Sequence, residues 1–299
     1  MKILISRIKG GLGNQLYCYA AAKRLALKNN AELVIDNVSG FLRDKEYQRQ
    51  YSLDAFDIKD RYASAWERLE PFERIRRGVW KIKERKNPFE LRSYIEQEIN
   101  DFDHRLLNIK LNHSVTYIDG LWQSQAYFAD IEDVLRKELV IKSPIDEKNL
   151  SISNLLKQQK TVAIHVRWFQ QQSHSTTANV SQCYYKKAIA ETEERLDKPF
   201  YAVFSDRMDY TKKTIEFPLD RTIFIDHNQN KQGELADFWL MTQCHHFIIA
   251  NSTFSWWAAW IGGSKENSQV YFPRLTQLNS SWMWDYQGQM PQSWQPLFV

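Results

Sequence analysis

The sequence predicts an α/β protein of two domains, each built on a parallel sheet. Three observations carry this. The chain opens as strand, glycine turn, helix, strand. Its second half alternates short apolar runs with helical segments. At 299 residues it is long enough for two domains of ordinary size.

The first strand is KILISRI, followed by the turn GGLGNQ. The helix LYCYAAAKRLALKN comes next, and AELVID is the second strand. From Tyr62 to Lys110 the character changes. Leu69, Phe72, Ile75, Val79 and Ile82 recur at helical spacing, and Arg74 to Lys86 holds seven basic residues and one acidic. The expected arrangement is a helix packed on the domain with its basic face in water. The alternative is peripheral contact with an anionic membrane. YIDGLWQSQAYF then reads as a strand end and an aromatic loop, and IEDVLRKELVI as a helix. The polar, proline-containing KSPIDEKNLSIS marks a domain boundary, giving domains of 1–152 and 153–299.

Beyond it the strands are TVAIHV, FYAVFS, TIFID, HFIIAN and QVYF. The helices are YYKKAIAETEERL, MDYTKKTIE, GELADFWLMTQC and SWWAAWIG. Open parallel sheets bind ligands at the carboxyl ends of their strands. The residues there are His165 and Arg167, Ser205 and Asp206, Asp226 and His227, then Asn251, Ser252, Thr253 and Ser255. Arginine presents a planar fork of donors that suits phosphate oxygens. NSTFS enters a helix start, an anion site aided by the helix dipole. An aspartate at a neighbouring exit can accept two N–H bonds from a guanine edge. Together these describe a nucleotide site, although each residue alone fits a cap or turn role.

Composition bounds the rest. The chain is 43% apolar and 25% charged with a net charge of +4, which suits an anionic small ligand and does not call for nucleic acid. Cys18, Cys183 and Cys244 lack metal or redox spacing and read as reduced thiols. No signal peptide or spanning segment is evident, so the expected location is cytoplasmic, including the inner face of a membrane. GGLGNQ is half of a dinucleotide fingerprint with Asp36 as its acid, but Leu16 stands where the third glycine belongs. An oxidoreductase is therefore a poor reading. Asp101 and Asp103 form one D-x-D without a leading strand, so no metal is expected.

The chain resembles glycosyltransferase family 11, the α-1,2-fucosyltransferases that use GDP-fucose. GGLGNQL with YAAAKRLA is similar to the family's N-terminal signature, and GLWQSQAYF to its G-Y-W-Q-S-x-x-Y-F segment. IHVR matches the start of H-x-R-R-G-D, FSD matches F-S-D, and DFWLMTQCHHFIIANSTFSWWAAWIG resembles the last two blocks. The likeness runs almost end to end. It implies two Rossmann-like domains in a GT-B-like arrangement, with the GDP-sugar on the C-terminal domain and the acceptor on the N-terminal side. It implies an inverting, metal-independent transfer of L-fucose to an oligosaccharide hydroxyl, commonly a galactose 2-OH, with GDP-fucose as substrate and no further cofactor.

By the same likeness Arg167 neutralises the departing diphosphate, with His165 supporting that corner, and Asp206 reads guanine. Asn251, Ser252, Thr253 and Ser255 line the phosphates. Gly11, Gly13, Asn14 and Gln15 close over the diphosphate. The family's second Arg, Gly and Asp are replaced by Trp168, Phe169 and Gln170, and Gln170 has no basic lone pair. His174, Asp226, His227 and Glu234 are the alternative bases. Trp122, Trp168 and Phe169 are the expected acceptor-side aromatics. Transfer of another GDP-sugar, another linkage, and a GDP-sugar-binding module without catalysis are the alternatives to be tested.

Overall fold

The computed structural model describes residues 1–158, 160–169, 179–274, 284 and 288–298. They form two compact units: Met1–Val140 with 288–290, and the chain from Ile141 onward apart from that return.

The first unit is a parallel sheet of β1 (Lys2–Arg7), β2 (Ala31–Asp36), β3 (Arg61–Tyr62), β4 (Tyr94–Glu96) and β5 (Val115–Asp119). Its order is β3-β2-β1-β5-β4. Helix α1 (Leu12–Lys28) carries the chain from β1 to β2. Its small residues Ala20, Ala21 and Ala22 are buried and let the helix lie close to the unit's core. Leu16, in the place of the absent glycine, is buried with them.

Helix α2 (Glu73–Glu84) forms where the spacing predicts a helix, but with the opposite side inward. Ile75, Val79 and Ile82 face solvent. Arg77 and Glu84 are buried, because Asp36, Ser39, Ser93 and Tyr117 give their polar ends partners. Helix α3 (Glu132–Glu138) follows the aromatic loop.

The second unit begins at Ile141, just ahead of the proline-containing segment KSPIDEKNLSIS. Helix α4 (Glu147–Gln158) packs on α7 (Asn230–Gln243), and Asn149 Nδ2 donates to Asn228 Oδ1 at 2.9 Å. Its parallel sheet runs β11-β10-β9-β6-β7-β8. The strands are β6 (Thr161–Val166), β7 (Phe200–Ser205), β8 (Thr222–Ile225), β9 (His246–Ile248), β10 (Val270–Arg274) and β11 (Gln295–Phe298). Helices α5 (Gln182–Arg195), α6 (Met208–Thr214), α7 and α8 (Thr253–Gly262) connect them. The core on one face joins Val162, Ile164 and Val166 to Tyr184, Tyr185 and Val203.

This is the doubly wound order of a Rossmann fold. From β6 the chain adds β7 and β8 on one side, then crosses back to place β9 on the other. The crevice between the carboxyl ends of β6 and β9 is therefore the topological switch point.

Candidate active site

Two chain segments meet that switch point. Arg167 leaves β6, and Asn251 and Ser252 lead from β9 into α8. Ser252 is the N-cap of α8, makes no side-chain cap hydrogen bond, and the first turn holds no acidic residue. The positive end of the α8 dipole therefore lies beside a guanidinium, a pairing that suits phosphate.

A carboxylate does stand beside Arg167. Asp206 leaves β7, next to β6 in the sheet. Its Oδ2 lies 3.1 Å from Arg167 Nη1, and its Oδ1 accepts the Trp168 N–H at 3.0 Å. Burial pushes the Asp206 carboxyl above its ordinary value, against the opposing pull of Arg167 and the Trp168 N–H. Both oxygens are engaged, so to read a base edge Asp206 must release or share one of these partners.

His165 occupies the face of β6 opposite the Val162–Val166 row. It is buried, its ring centroid 5.5 Å from that of Phe254 on α8. Burial, and then the charge of Arg167, push its imidazole down to about 3, so it is neutral at physiological pH. Its Nδ1 has no hydrogen-bond partner among the described residues.

Other expected site residues do different work. Ser255 is fully buried, and its hydroxyl donates to the Ser252 carbonyl at 3.2 Å, inside its own helix turn. Trp168 is a core residue rather than an acceptor-side aromatic. It is 8% exposed, its Nε1 donates to Thr211 Oγ1 at 2.8 Å, and its ring meets Tyr210 edge-on. Trp122, 1% exposed, packs against Tyr127 in the first unit. Phe169 is part-buried, its N–H donating to Asn179 Oδ1 and its ring 5.8 Å from the Arg167 guanidinium.

Gly11, Gly13, Asn14 and Gln15 lie in the first unit, at the start of α1, which also lacks a side-chain cap and first-turn acid. Gln15 is already saturated. Its Nε2 donates to the Gly10 and Gln50 carbonyls and its Oε1 accepts the Ser52 N–H, all at 2.9 Å. Asn14 Oδ1 accepts from Gln123 at 2.7 Å. The glycine the turn requires is Gly10, with φ of +80°, where a Cβ would meet Asn14 Nδ2 at 2.8 Å. Gly11 has an ordinary φ of −70°. A pocket of about 410 Å³ in this unit is lined by Asn37, Phe41, Arg49 and Tyr51 among others, and Arg49 Nε is 3.8 Å from a Cβ built on Gly11.

The alternative bases are differently placed. His174 and Gln170 lie outside the described residues. Asp226 and His227 follow the edge strand β8, two strand spacings, about 10 Å, from β6. Asp226 pairs with Lys212 at 3.1 Å. His227 Nε2 lies 3.2 Å from Asn149 Oδ1, and burial with nearby Lys148 lowers its pKa. Glu234 is exposed on α7.

Two carboxyls were not singled out by the sequence reading. Asp237 on α7 is pushed up to about 7, chiefly by burial and further by Glu234, while accepting from Asn228 Nδ2 at 2.8 Å. Its signal was available: it opens DFWLMTQC. Asp119, at the end of β5, is 3% exposed. Burial alone would raise it, but Lys9 at 2.7 Å and Arg7 at 3.3 Å hold it well below the usual carboxylate range, and Tyr94 donates to it at 2.7 Å.

Asp36 is fully buried and accepts from Ser39 N–H, Ser39 Oγ and Tyr117 OH, so no ribose can reach it. Asp103 caps a short helical turn and binds the Arg105 guanidinium at 2.7 Å, so its carboxylate is occupied. Among the described residues no group of three or more His, Cys, Asp or Glu is arranged to hold a metal ion.

The family model described as Glycosyl transferase family 11 matches residues 3–296. An alpha-1,2-colitosyltransferase of Escherichia coli is 28% identical over 87% of this chain and 88% of its own length. The O-antigen biosynthesis glycosyltransferase WbnK of Escherichia coli is 27% identical over 91% and 94%. Human galactoside alpha-(1,2)-fucosyltransferase 1 is 25% identical over 56% and 47%. Among solved structures, Arabidopsis thaliana FUT1 in complex with GDP aligns with a TM-score of 0.55 at 12% identity, over 91% of this chain and 71% of that one. POFUT1 in complex with GDP-fucose aligns at 0.53 and 13%, over 91% and 98%. These likenesses show a GT-B class fold of two Rossmann-like units.

Proposed function

The chain belongs to glycosyltransferase family 11, and from that premise we propose that it is an inverting fucosyltransferase. It moves L-fucose from GDP-fucose to a hydroxyl of an oligosaccharide, the 2-OH of a galactose, without a metal ion. The acceptor is a precursor of a bacterial surface glycan, a reading supported by the similarity to WbnK.

The observation that carries the proposal is the pairing at the switch point: Arg167 held by Asp206, beside the start of α8. In the reaction the acceptor oxygen bonds to the fucose anomeric carbon, the bond from that carbon to the β-phosphate oxygen breaks, and GDP leaves with the electron pair. Negative charge grows on the diphosphate as this happens. A fixed guanidinium and oriented N–H groups stabilise that charge more in the transition state than before it. Among the described residues Arg167 bonds protein only through Nη1, so Nε and Nη2 remain to meet phosphate oxygens. The acceptor proton passes to a base. An oxocarbenium-like transition state asks little of that base.

A second reading, transfer of another sugar from its GDP-linked form, is favoured by the similarity to a colitosyltransferase. One assay separates the two. GDP-fucose, GDP-mannose and GDP-colitose are offered with an array of galactose-terminated acceptors, and product linkage is read by NMR. Fucosyl product with an α-1,2 linkage is expected. Preferential use of another donor replaces the first reading with the second. Donor binding with neither transfer nor donor hydrolysis leaves a binding module instead.

A further inference from the structure

Helix α2 is attached to its unit through polar groups and presents its apolar row to solvent. At 100° per residue, Arg77, Trp80, Lys81 and Glu84 share one side. Each is fastened there. Arg77 donates to Ser39 Oγ at 2.9 Å and Tyr117 OH at 3.1 Å, and Trp80 Nε1 donates to Ser93 Oγ at 2.8 Å. Glu84 accepts the Ser93 N–H at 2.7 Å, and Lys81 pairs with Glu96. The opposite side carries Ile75, Val79 and Ile82, exposed by 65%, 63% and 65%, with Phe72 at 68% just before the helix. Apolar side chains scattered singly on a surface mean little, but four aligned along one helix face form a patch.

Cations border this row on both sides. Arg74 and Arg85 lie on one flank, Arg76 and Lys83 on the other, and Lys86 at the end. All five are exposed. Arg74, Lys83 and Lys86 have no carboxylate partner among the described residues. Arg76 stacks over Trp66, itself 76% exposed. Among the described residues no helix is long and apolar enough to cross a membrane.

We propose that this face docks on an anionic lipid bilayer, with α2 lying in the plane of the surface. The apolar row enters the boundary between headgroups and acyl chains, the flanking cations meet lipid phosphates, and Trp66 sits at headgroup level. Charge favours this occupant over a second copy of the chain, since two such faces pressed together would oppose Arg74, Arg76, Lys83 and Lys86 with the same four cations, Arg85 being paired with Glu96 at 2.9 Å. The inference uses only the first unit and does not depend on the donor or acceptor assigned above.

The test is flotation of the full chain with vesicles of phosphatidylcholine, alone or mixed with phosphatidylglycerol. Binding is expected with the anionic mixture, weakened by salt, and absent with phosphatidylcholine alone. The triple variant Ile75→Gln, Val79→Gln, Ile82→Gln keeps every charge and should lose binding. The triple variant Arg74→Gln, Lys83→Gln, Lys86→Gln should weaken it on the order of 100-fold. Both should keep the wild-type melting temperature and transfer to a soluble acceptor. Equal flotation with neutral and anionic vesicles overturns the proposal, as does an apolar triple variant that binds like wild type. So does a solution dimer that this variant dissolves while wild type ignores vesicles.

Discussion

Arg167 Nη1 lies 3.1 Å from Asp206 Oδ2, joining the exits of two adjacent strands at the switch point of the second sheet. The carboxylate fixes where the guanidinium points, and among the described residues it engages only Nη1. Arg167→Ala should therefore lower kcat/KM by about 100- to 1,000-fold with an unchanged circular dichroism spectrum. Asp206→Asn keeps the acceptor for the Trp168 N–H but loses the ion pair, and should cost less than Arg167→Ala. Steady-state kinetics of the two variants decide this. Near wild-type turnover by Arg167→Ala would remove the phosphate assignment.

Ser255 and Thr253 separate two meanings of the same sequence block. Ser255 is buried with its hydroxyl bonded inside its own helix, whereas Thr253 is the first residue of α8 and part-exposed. Ser255→Ala should leave the KM for donor within about twofold, since among the described residues its hydroxyl meets only backbone acceptors. Thr253→Val should raise that KM several-fold. The reverse ranking in a donor titration contradicts the geometry described here.

The turn before α1 makes a stability prediction. Gly10→Ala places a Cβ on a residue at φ of +80°, against Asn14, and should destabilise by about 1–2 kcal/mol. Gly11→Ala meets an ordinary φ and no heavy atom closer than 3.8 Å, and should cost less than about 0.5 kcal/mol. Urea denaturation of the pair measures the difference, and equal costs would count against the turn geometry.

Asp237 links stability to pH. Its folded pKa is raised to about 7 from an ordinary 3.8. Between those values the folded chain holds a proton that the unfolded chain has released. Stability from this group is fully present below the lower value and is lost as pH rises through the upper one. Asp237→Asn keeps a neutral, hydrogen-bonding side chain. Its melting temperature should match wild type near pH 4 and exceed it near pH 8. Parallel melting curves across that range would show that Asp237 ionises normally.

Transfer should persist in excess EDTA, because Arg167 and the start of α8 supply the positive charge the leaving diphosphate needs. Loss of turnover, restored by manganese or magnesium, would require a metal site the present reading does not use.

Much of the second unit was legible in the chain. TVAIHV and FYAVFS coincide with β6 and β7, since apolar runs with polar ends leave little choice of register. The short strands β3 and β4 gave too few residues for a period, and β11 carries Pro296, which suits only an edge. Arg167 and Asp206 could be placed at strand exits from sequence. Their pairing could not, because it depends on β7 lying next to β6. Trp168 looked like a ligand-facing aromatic because it follows Arg167, yet its ring turns back to Thr211 and the core.

The sequence by itself determined the alternation of strands and helices, the family, and which residue types stand at the strand ends. Local periodicity and motif spacing carry those facts. Tertiary structure decided which of them are free to act. It saturated Gln15 and Asp36, buried Trp122, Trp168 and Ser255, and raised the Asp237 pKa through burial. It also turned the apolar row of α2 outward, because Arg77 and Glu84 found buried partners in segments distant along the chain. A period of 3.6 residues defines the two sides of a helix. Which side goes inward depends on the partners the rest of the fold provides.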